Sequence, residues 1–348
     1  MKKIKRVSYI CVIVLVVSLG LISLAQAHHS TNEYDDSKLV ELEGEIVKVI
    51  WRNPHVLLHM TTQEDGETVT WLLEGNSVSM QVRRGITKDQ ITVGEKVRVA
   101  GYVSTRRDYD MLALHLLLES GQELILRGSR NRPLRWTEAS TTKLKDDIDL
   151  DKAASTTTKG LFRVWTWGRL ERGWWFFGGN DKFPLTDAAL AKQADWDEFT
   201  DNPQLKCIAP GMPATMGNPY PIKFVKAGDN IEMHAEEYDL MRTIHMGAEA
   251  DASIPHSHLG YSIGHWEDEN TLVVSTANIN YPYFNRVGVT QSEDVTTLER
   301  FTVDDVEGKL HYELTVTDPW ALKEPYQWKA LWIWNPDEMV AKYDCAIQ

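Results

Sequence analysis

The fold of the larger half of the chain is decided by the stretch Ile254-Pro-His-Ser-His-Leu-Gly-Tyr-Ser-Ile-Gly-His-Trp-Glu-Asp-Glu-Asn-Thr-Leu-Val-Val-Ser-Thr276. Two apolar runs flank the turn-forming residues Glu267-Asp-Glu-Asn270, and this pattern predicts two strands joined by a tight turn. The full set of strands predicted in this half covers residues 160–168, 222–226, 230–238, 241–246, 262–267, 271–277, 295–303, 309–317 and 326–334. Residues 161–348 are therefore predicted to form a larger, lipocalin-like antiparallel β-barrel or a β-sandwich.

The preceding part of the chain, residues 28–128, predicts a second and smaller β domain. Strands are expected at residues 39–50, 55–60, 68–73, 96–103, 111–118 and 123–126, with one short helix at 78–84. Five or more short strands with one helix in about 100 residues are typical of a small antiparallel barrel of the oligonucleotide/oligosaccharide-binding (OB) type. Residues 129–160 are rich in Thr, Ser, Asp and Lys, which predicts a polar linker or a covering arm. A helix with Thr186 as its N-cap is expected to run to about residue 199.

The N-terminus has the pattern of a secretory signal peptide. The basic residues Lys2, Lys3, Lys5 and Arg6 precede an apolar run over residues 7–24, which ends in Ala25-Gln-Ala27. The apolar run is near the lower length limit of a membrane-spanning helix, so a retained anchor is the alternative. The Ala-x-Ala end favours cleavage after Ala27. We therefore expect residues 1–27 to be removed, leaving a periplasmic or secreted protein with no stable membrane anchor.

The charge of the chain argues against nucleic acid as a partner. The full chain carries a net charge of −13, and removal of the signal peptide would lower this to about −17 because the segment holds four basic residues and no acidic one. Polyanions are repelled by such a surface.

The cysteine content predicts one disulfide. Cys207 and Cys345 are the two cysteines that remain after cleavage, since Cys11 lies in the signal peptide. Two cysteines in an oxidising compartment most simply pair with each other, and two separate free thiols are the alternative.

A metal site is predicted at the new N-terminus, His28-His29-Ser30. A terminal histidine offers its amine and its imidazole to one ion, and nitrogen ligands of this kind favour copper(II) among the first-row divalent metals. His55 is expected to add a third ligand, rather than His59, which lies about 13 Å further along the same strand. The alternative is that the terminal histidines fray in solvent and that His55 and His59 are ordinary strand residues.

Both halves resemble uncharacterised exported bacterial proteins. For the first half, the resemblance rests on the His-His-Ser terminus, Glu33-Tyr34-Asp35, Gly44 to Val49, Trp51 with Asn53-Pro54-His55, Trp71 with Glu74, and Arg83-Arg84-Gly85. For the second half, it rests on Cys207, Pro210-Gly-Met-Pro213, Tyr238, Arg242, Ile244, Met246, Gly260 to Glu267, Leu272-Val-Val274, Glu299-Arg-Phe301, Asp318-Pro319, Tyr343 and Cys345. The resemblance implies the two-domain architecture and draws attention to His28, His29 and His55, but it implies no activity.

A catalytic site is a further possibility in the second half. Gly260-x-Ser262-x-Gly264 fits the string of a hydrolase nucleophile elbow, but a helix should follow that serine and the sequence instead predicts a strand, so close strand packing is the preferred interpretation. His256 and His258 are expected to face one way about 7 Å apart and could share a metal or act in catalysis. Their expected helpers are Arg242, Glu299, His234, His245, His265 and, as acid/base, Glu236. The alternative is a polar loop with solvated imidazoles.

Three functions follow from these patterns. The preferred one is an exported two-domain β protein that binds a metal ion, copper, through its mature N-terminus. The second is a barrel that binds a small ligand, suggested by the 13 Trp and 12 Tyr residues, which ordinary core packing would explain equally well. The third is a hydrolase or lyase that acts on a small molecule through His256, His258, Arg242 and Glu299.

Overall fold

We describe the protein from a computed structural model, which covers residues 33–128, 133–137, 159–167, 183–249, 251, 253–285 and 288–347. The predicted signal peptide and most of the predicted linker lie outside these residues. In the described parts of the chain, the strands form two β-barrels, a small one followed by a larger one. The predicted fold class is therefore confirmed.

Within residues 33–128, six strands make up the first barrel and its extension. They are β1 (Val40–Ile50), β2 (Leu57–Glu64), β3 (Glu67–Glu74), β4 (Lys96–Val103), β5 (Asp110–Leu117) and β6 (Glu123–Ile125). Neighbours follow the order β3-β2-β1-β4-β5-β6, and a parallel pairing of β3 with β5 closes a five-stranded barrel. Helix α1 (Val78–Arg83) lies between β3 and β4. This strand order and the single helix agree with the predicted OB-like barrel.

The first barrel closes tightly around its core because β1 approaches β2 without a side chain between them. A Cβ atom at Gly44 would lie 2.3 Å from the carbonyl oxygen of Thr61. The core is filled from several strands by apolar side chains such as Ile46, Leu58 and Val99, which are fully buried. On β4, Val97 and Val99 are buried on either side of the half-buried Arg98 and contribute to this inward face.

The described part of the predicted linker, residues 133–137, acts as a covering arm. The amide nitrogens of Arg135 and Trp136 donate hydrogen bonds to the carboxylate of Glu123 at 2.7 and 2.9 Å. The Trp136 ring also meets His115 edge-on, with ring centroids 6.1 Å apart. These contacts hold the arm against β5 and β6.

Nine strands of the described residues form the second, closed barrel. They are β7 (Val164–Trp167), β8 (Ile222–Ala227), β9 (Asn230–Ala235), β10 (Leu240–Met246), β11 (Tyr261–Trp266), β12 (Thr271–Ala277), β13 (Thr296–Asp304), β14 (Lys309–Thr317) and β15 (Tyr326–Trp334). Each corresponds to a predicted strand. Neighbours are antiparallel except β10 and β11, which run parallel because residues 247–260 carry the chain back along the barrel.

Aromatic rings occupy much of the interior of the second barrel. Tyr312 packs on Phe301 and on Trp332, with ring centroids 4.9 and 5.2 Å apart, and Trp332 meets Trp167 at 5.2 Å. These rings account for part of the high Trp and Tyr content through core packing.

Among the described residues, two short α-helices lie between β7 and β8 in the chain. Helix α2 (Asp187–Ala194) begins as predicted after Thr186, whose side chain accepts a hydrogen bond from the Ala189 amide, and a separate short helix α3 (Glu198–Asp201) follows. The predicted disulfide joins Cys207 to Cys345, with Cα atoms 5.9 Å apart. In the described parts of the chain, every helix is too short or too polar to cross a bilayer.

Candidate functional site

The N-terminal part of the described chain is fixed at one end of the first barrel. The Glu33 carbonyl accepts a hydrogen bond of 2.7 Å from the Thr105 amide, and Tyr34 forms an isolated β-bridge with Ser104. Both Glu33 and Tyr34 are buried. The point at which the chain reaches the barrel is therefore well defined, five residues after His28.

A buried group of polar side chains surrounds this point. The Tyr34 hydroxyl donates to Asp110 at 2.8 Å, and Arg107 donates to the Tyr34 hydroxyl at 2.9 Å. Arg107 also pairs with the carboxylates of Asp110, at 2.6 Å, and Glu33. Asp110 stands at the start of β5, opposite Leu72 of the parallel strand β3, so the end of β3 lies at the same end of the barrel.

His55 lies beside the end of β3. Its Nδ1 atom is 3.1 Å from the carbonyl oxygen of Gly75 and 3.2 Å from the carboxylate of Glu74. Arg127 donates to both of these acceptors, at 3.0 and 3.1 Å, and its Nη1 atom is 3.2 Å from the same ring nitrogen. The two oxygen acceptors suit a proton on Nδ1, which leaves the lone pair on Nε2, whereas the guanidinium N–H of Arg127 suits a lone pair on Nδ1, so either tautomer of His55 has a partner.

The electrostatics of the two groups are linked. Burial raises the pKa of Glu74 to about 7; the arginines Arg127 and Arg107 oppose this shift, and the carboxylate of Glu33 adds to it. Burial likewise raises the pKa of Asp110 to about 6, against the opposing effect of Arg107. Glu33 thus acts electrostatically on Glu74, whose carboxylate lies 3.2 Å from His55.

Other histidines of the first barrel have different surroundings. His59 lies on β2, and burial together with Lys48 lowers its pKa. His115 is buried, with its Nδ1 atom 2.8 Å from Glu123 beneath the covering arm. His28 and His29 lie outside the described residues.

The structure brings Arg242 and Glu299 together inside the second barrel. The guanidinium of Arg242 donates to both carboxylate oxygens of Glu299, with the first contact at 3.0 Å, and also to the hydroxyls of Ser262 and Thr276 at 2.8 and 2.7 Å. The Tyr312 hydroxyl donates to Glu299 at 2.8 Å. Each of the strands β10 to β14 contributes one of these five buried residues.

His256 and His258 are placed elsewhere. Both are exposed in the segment that precedes β11; His256 lies 3.8 Å from the carboxylate of Glu293, and the ring of His258 meets that of Tyr281 at 5.3 Å. Both histidines lie at the surface, whereas Arg242 and Glu299 are buried, so the structure does not bring the two pairs together.

The other nominated helpers have separate partners. His234 contacts Glu232 at 2.9 Å, His245 stacks on Tyr261 at 4.5 Å, and Glu236 binds Arg83 of the first barrel at 2.8 Å. His265 is exposed on β11. Ser262 is followed by the rest of β11, a turn and β12, and its hydroxyl is engaged with Arg242, an arrangement that differs from a strand–helix nucleophile elbow.

Within the described residues, no group of three or more His, Cys, Asp and Glu side chains is arranged to hold a metal ion. The selection of His55 as a metal ligand therefore stays a prediction. The sequence did not single out Tyr34, Arg107 and Asp110 as a polar group, although Glu33-Tyr34 was part of the motif pattern.

Comparison with known proteins agrees with an uncharacterised first domain. A family of unknown function, DUF6152, matches residues 15–111, which include His28, His29, His55 and most of the first barrel. No curated protein matches the chain. The roles of individual residues therefore have to be inferred from their chemistry and their contacts.

Proposed function

We propose that this is an exported β protein that binds one copper(II) ion at the end of the first barrel. The ligands would be the amine and imidazole of His28, the imidazole of His29 and the Nε2 atom of His55. The observation that carries the proposal is the setting of His55, whose Nδ1 atom faces the Glu74 carboxylate and the Gly75 carbonyl.

The setting of His55 fits that of a metal-binding histidine. Such a residue usually donates its other ring N–H to a carboxylate or a backbone carbonyl, which fixes the ring orientation and raises the basicity of the ligating nitrogen. His55 has both kinds of acceptor at Nδ1, namely Glu74 at 3.2 Å and the Gly75 carbonyl at 3.1 Å. The lone pair on Nε2 is the feature that an ion would use.

The chain that carries the terminal histidines joins the barrel a few residues later. Glu33 follows His28 by five residues, and an extended chain of this length spans at most about 17 Å. The main chain of Glu33 is held by the Thr105 amide at 2.7 Å, so the segment starts from a fixed point. In the proposed site, the main chain of His28 would lie within this span of Glu33.

The proposal also depends on export, because cleavage after Ala27 is what creates the terminal amine of His28. The disulfide between Cys207 and Cys345 supports an oxidising destination, the periplasm or the cell exterior. Mass spectrometry of the exported protein should give a chain that begins at His28. A different first residue would contradict the proposal.

Copper uptake by the mature protein, prepared without an N-terminal tag, tests the site. Titration with copper(II) chloride, followed by calorimetry and electron paramagnetic resonance, should show about one equivalent with nitrogen ligands. Acetylation of the His28 amine should abolish this uptake, because the chelate of terminal amine and imidazole is lost. Equal uptake by the acetylated protein would refute the proposed ligand set.

The contribution of His55 is tested by a pair of variants. His55→Gln should weaken copper binding and change the resonance spectrum, whereas His59→Gln should do neither. His59 is a suitable control because it lies on the adjoining strand β2 with separate surroundings. Identical behaviour of the two variants would remove His55 from the site.

A further inference from the structure

The C-terminal segment lies between the two barrels. We call residues 335–347, which follow β15, the C-terminal strap. On the second barrel, Asp239 accepts a hydrogen bond from the Tyr343 amide and Glu236 accepts one from the Ala341 amide, both at 2.9 Å. On the first barrel, the Asn53 side chain donates to the Tyr343 carbonyl, and the Asn53 carbonyl accepts from the Ala346 amide at 3.2 Å. The strap therefore touches both barrels within a few residues.

An ion-pair group holds the same joint. Arg83, the last residue of α1, donates to both oxygens of Glu236, with the Nη1 contact at 2.8 Å, and to the carboxylate of Glu338 at 2.9 Å. Glu236 is fully buried, and a buried carboxylate requires a compensating charge. Arg83 of the first barrel thus supplies the positive charge that compensates the buried carboxylate of Glu236 in the second barrel.

The strap itself has little regular structure to hold its shape. Tyr343 is buried, with its ring 4.9 Å from that of Tyr238 and 5.6 Å from that of Tyr220. Two residues later, Cys345 forms an isolated β-bridge with Asn53 and the disulfide with Cys207. The covalent link therefore acts at the residue where the strap meets the first barrel.

Because Cys345 carries both the disulfide and the contact with Asn53, we propose that the Cys207–Cys345 disulfide is a redox-sensitive lock on the joint between the barrels. In the oxidised protein, the disulfide fixes the strap against Asn53, and the two barrels are held in one arrangement. Two-electron reduction by a dithiol cleaves the S–S bond, gives two thiols and leaves the reductant as its disulfide. The end of the strap then leaves Asn53, so its contacts with the first barrel are lost, while the pair Arg83–Glu236 still links the barrels and each barrel keeps its strands.

Hydrogen exchange measured by mass spectrometry tests the proposal on the full mature chain. Wild-type protein should be compared before and after treatment with dithiothreitol, with a Cys207→Ser, Cys345→Ser variant as the untreated counterpart. Reduction should speed exchange in peptides that contain Tyr343 and Ala346 by about tenfold or more, a local opening, while peptides from β12 to β14 stay protected. The variant should match reduced wild type and should not respond to dithiothreitol.

Two outcomes would overturn the proposal. Unchanged protection of the strap after reduction would mean that Tyr343 and Arg83 hold the joint without the disulfide. Loss of protection throughout β12 to β14 would mean that the disulfide supports the second barrel as a whole rather than the joint. Reduction of folded wild type keeps the test valid should the double variant fail to fold.

Discussion

Replacing Arg242 by methionine would leave a carboxylate inside the second barrel without the guanidinium that contacts both of its oxygens. Arg242 is 2 % exposed and Glu299 is 0 % exposed, so water cannot take over the contacts. Removal of one partner from a buried ion pair costs about 3–5 kcal/mol. For a domain of this size, 1 kcal/mol corresponds to about 2–4 °C in the unfolding temperature, so the variant should melt about 10 °C below wild type.

Thermal unfolding followed by circular dichroism measures this loss. Arg242→Met combined with Glu299→Leu replaces the pair by apolar side chains and should recover at least about half of it, because the uncompensated charge is gone. Full recovery is not expected, since the Tyr312 hydroxyl loses its acceptor, which costs about 1–3 kcal/mol. The exposed pair Arg300–Glu267 supplies a control, and Arg300→Met should lower the melting temperature far less than Arg242→Met does, because water screens an exposed pair. An Arg242→Met variant that melts at the same temperature as wild type would refute a structural role for the pair. A double variant that is less stable than the Arg242→Met single variant would refute it as well.

Three further predictions concern stability. The pKa of Glu74 is about 7 and that of Asp110 about 6, above the usual values near 4, so the folded protein keeps protons that the unfolded chain releases between about pH 4 and 7. The free energy of unfolding should therefore fall as the pH rises through this window. For metal-free protein, the urea concentration at the midpoint of unfolding should be lower at pH 7.5 than at pH 5.5. The Glu74→Gln substitution should reduce this difference. Gly44→Ala should cost about 2–3 kcal/mol in a urea titration, since its Cβ would lie 2.3 Å from a carbonyl oxygen of β2, and a neutral effect would contradict the tight closure of the first barrel. Reduction of Cys207–Cys345, which are 138 residues apart, should lower the unfolding free energy by about 5 kcal/mol in the chain-entropy limit, and a loss below about 1 kcal/mol would contradict that account.

The strands were predictable because each one alternates or concentrates apolar residues over a length that a strand can use. The pattern also placed Glu299 between the inward-facing residues Thr297 and Phe301 of β13, which was a signal for a buried charge. Its partner could not be read from the chain, because Arg242 lies 57 residues away and meets it only through the registers of β10 to β13. The parallel pairing of β10 with β11 has no local signal for the same reason.

For the candidate sites too, local sequence predicted some features and could not predict others. The spacing of His256 and His258 predicted that they face one direction, but exposure depends on what packs over the loop, and local sequence does not encode that. His55 was selected because Pro54 marks the start of a strand, and its position just before β2 agrees with this reasoning. The polar group of Tyr34, Arg107 and Asp110 comes from two distant parts of the chain, since Tyr34 lies 76 residues before Asp110, and the fold of the barrel brings them together.

The strap and the proposed copper site are connected through Asn53. This residue holds the strap through its side chain and carbonyl, its Oδ1 atom accepts a hydrogen bond of 2.9 Å from Val78 at the start of α1, and His55 follows two residues later. Release of the strap should therefore loosen the chain that carries His55. Removal of an outer hydrogen-bond partner weakens metal sites by about 10–100-fold, so this indirect change should weaken copper(II) binding less, by about two- to tenfold.

The Cys207→Ser, Cys345→Ser variant measures this effect without thiols that would reduce or bind the metal. In a competition titration against a copper chelator, it should bind one equivalent like wild type, because the N-terminal ligands are untouched, but more weakly. Equal affinities would show that release of the strap leaves His55 undisturbed. In that case the joint and the metal site would be independent features of the molecule, and each would stand on its own test.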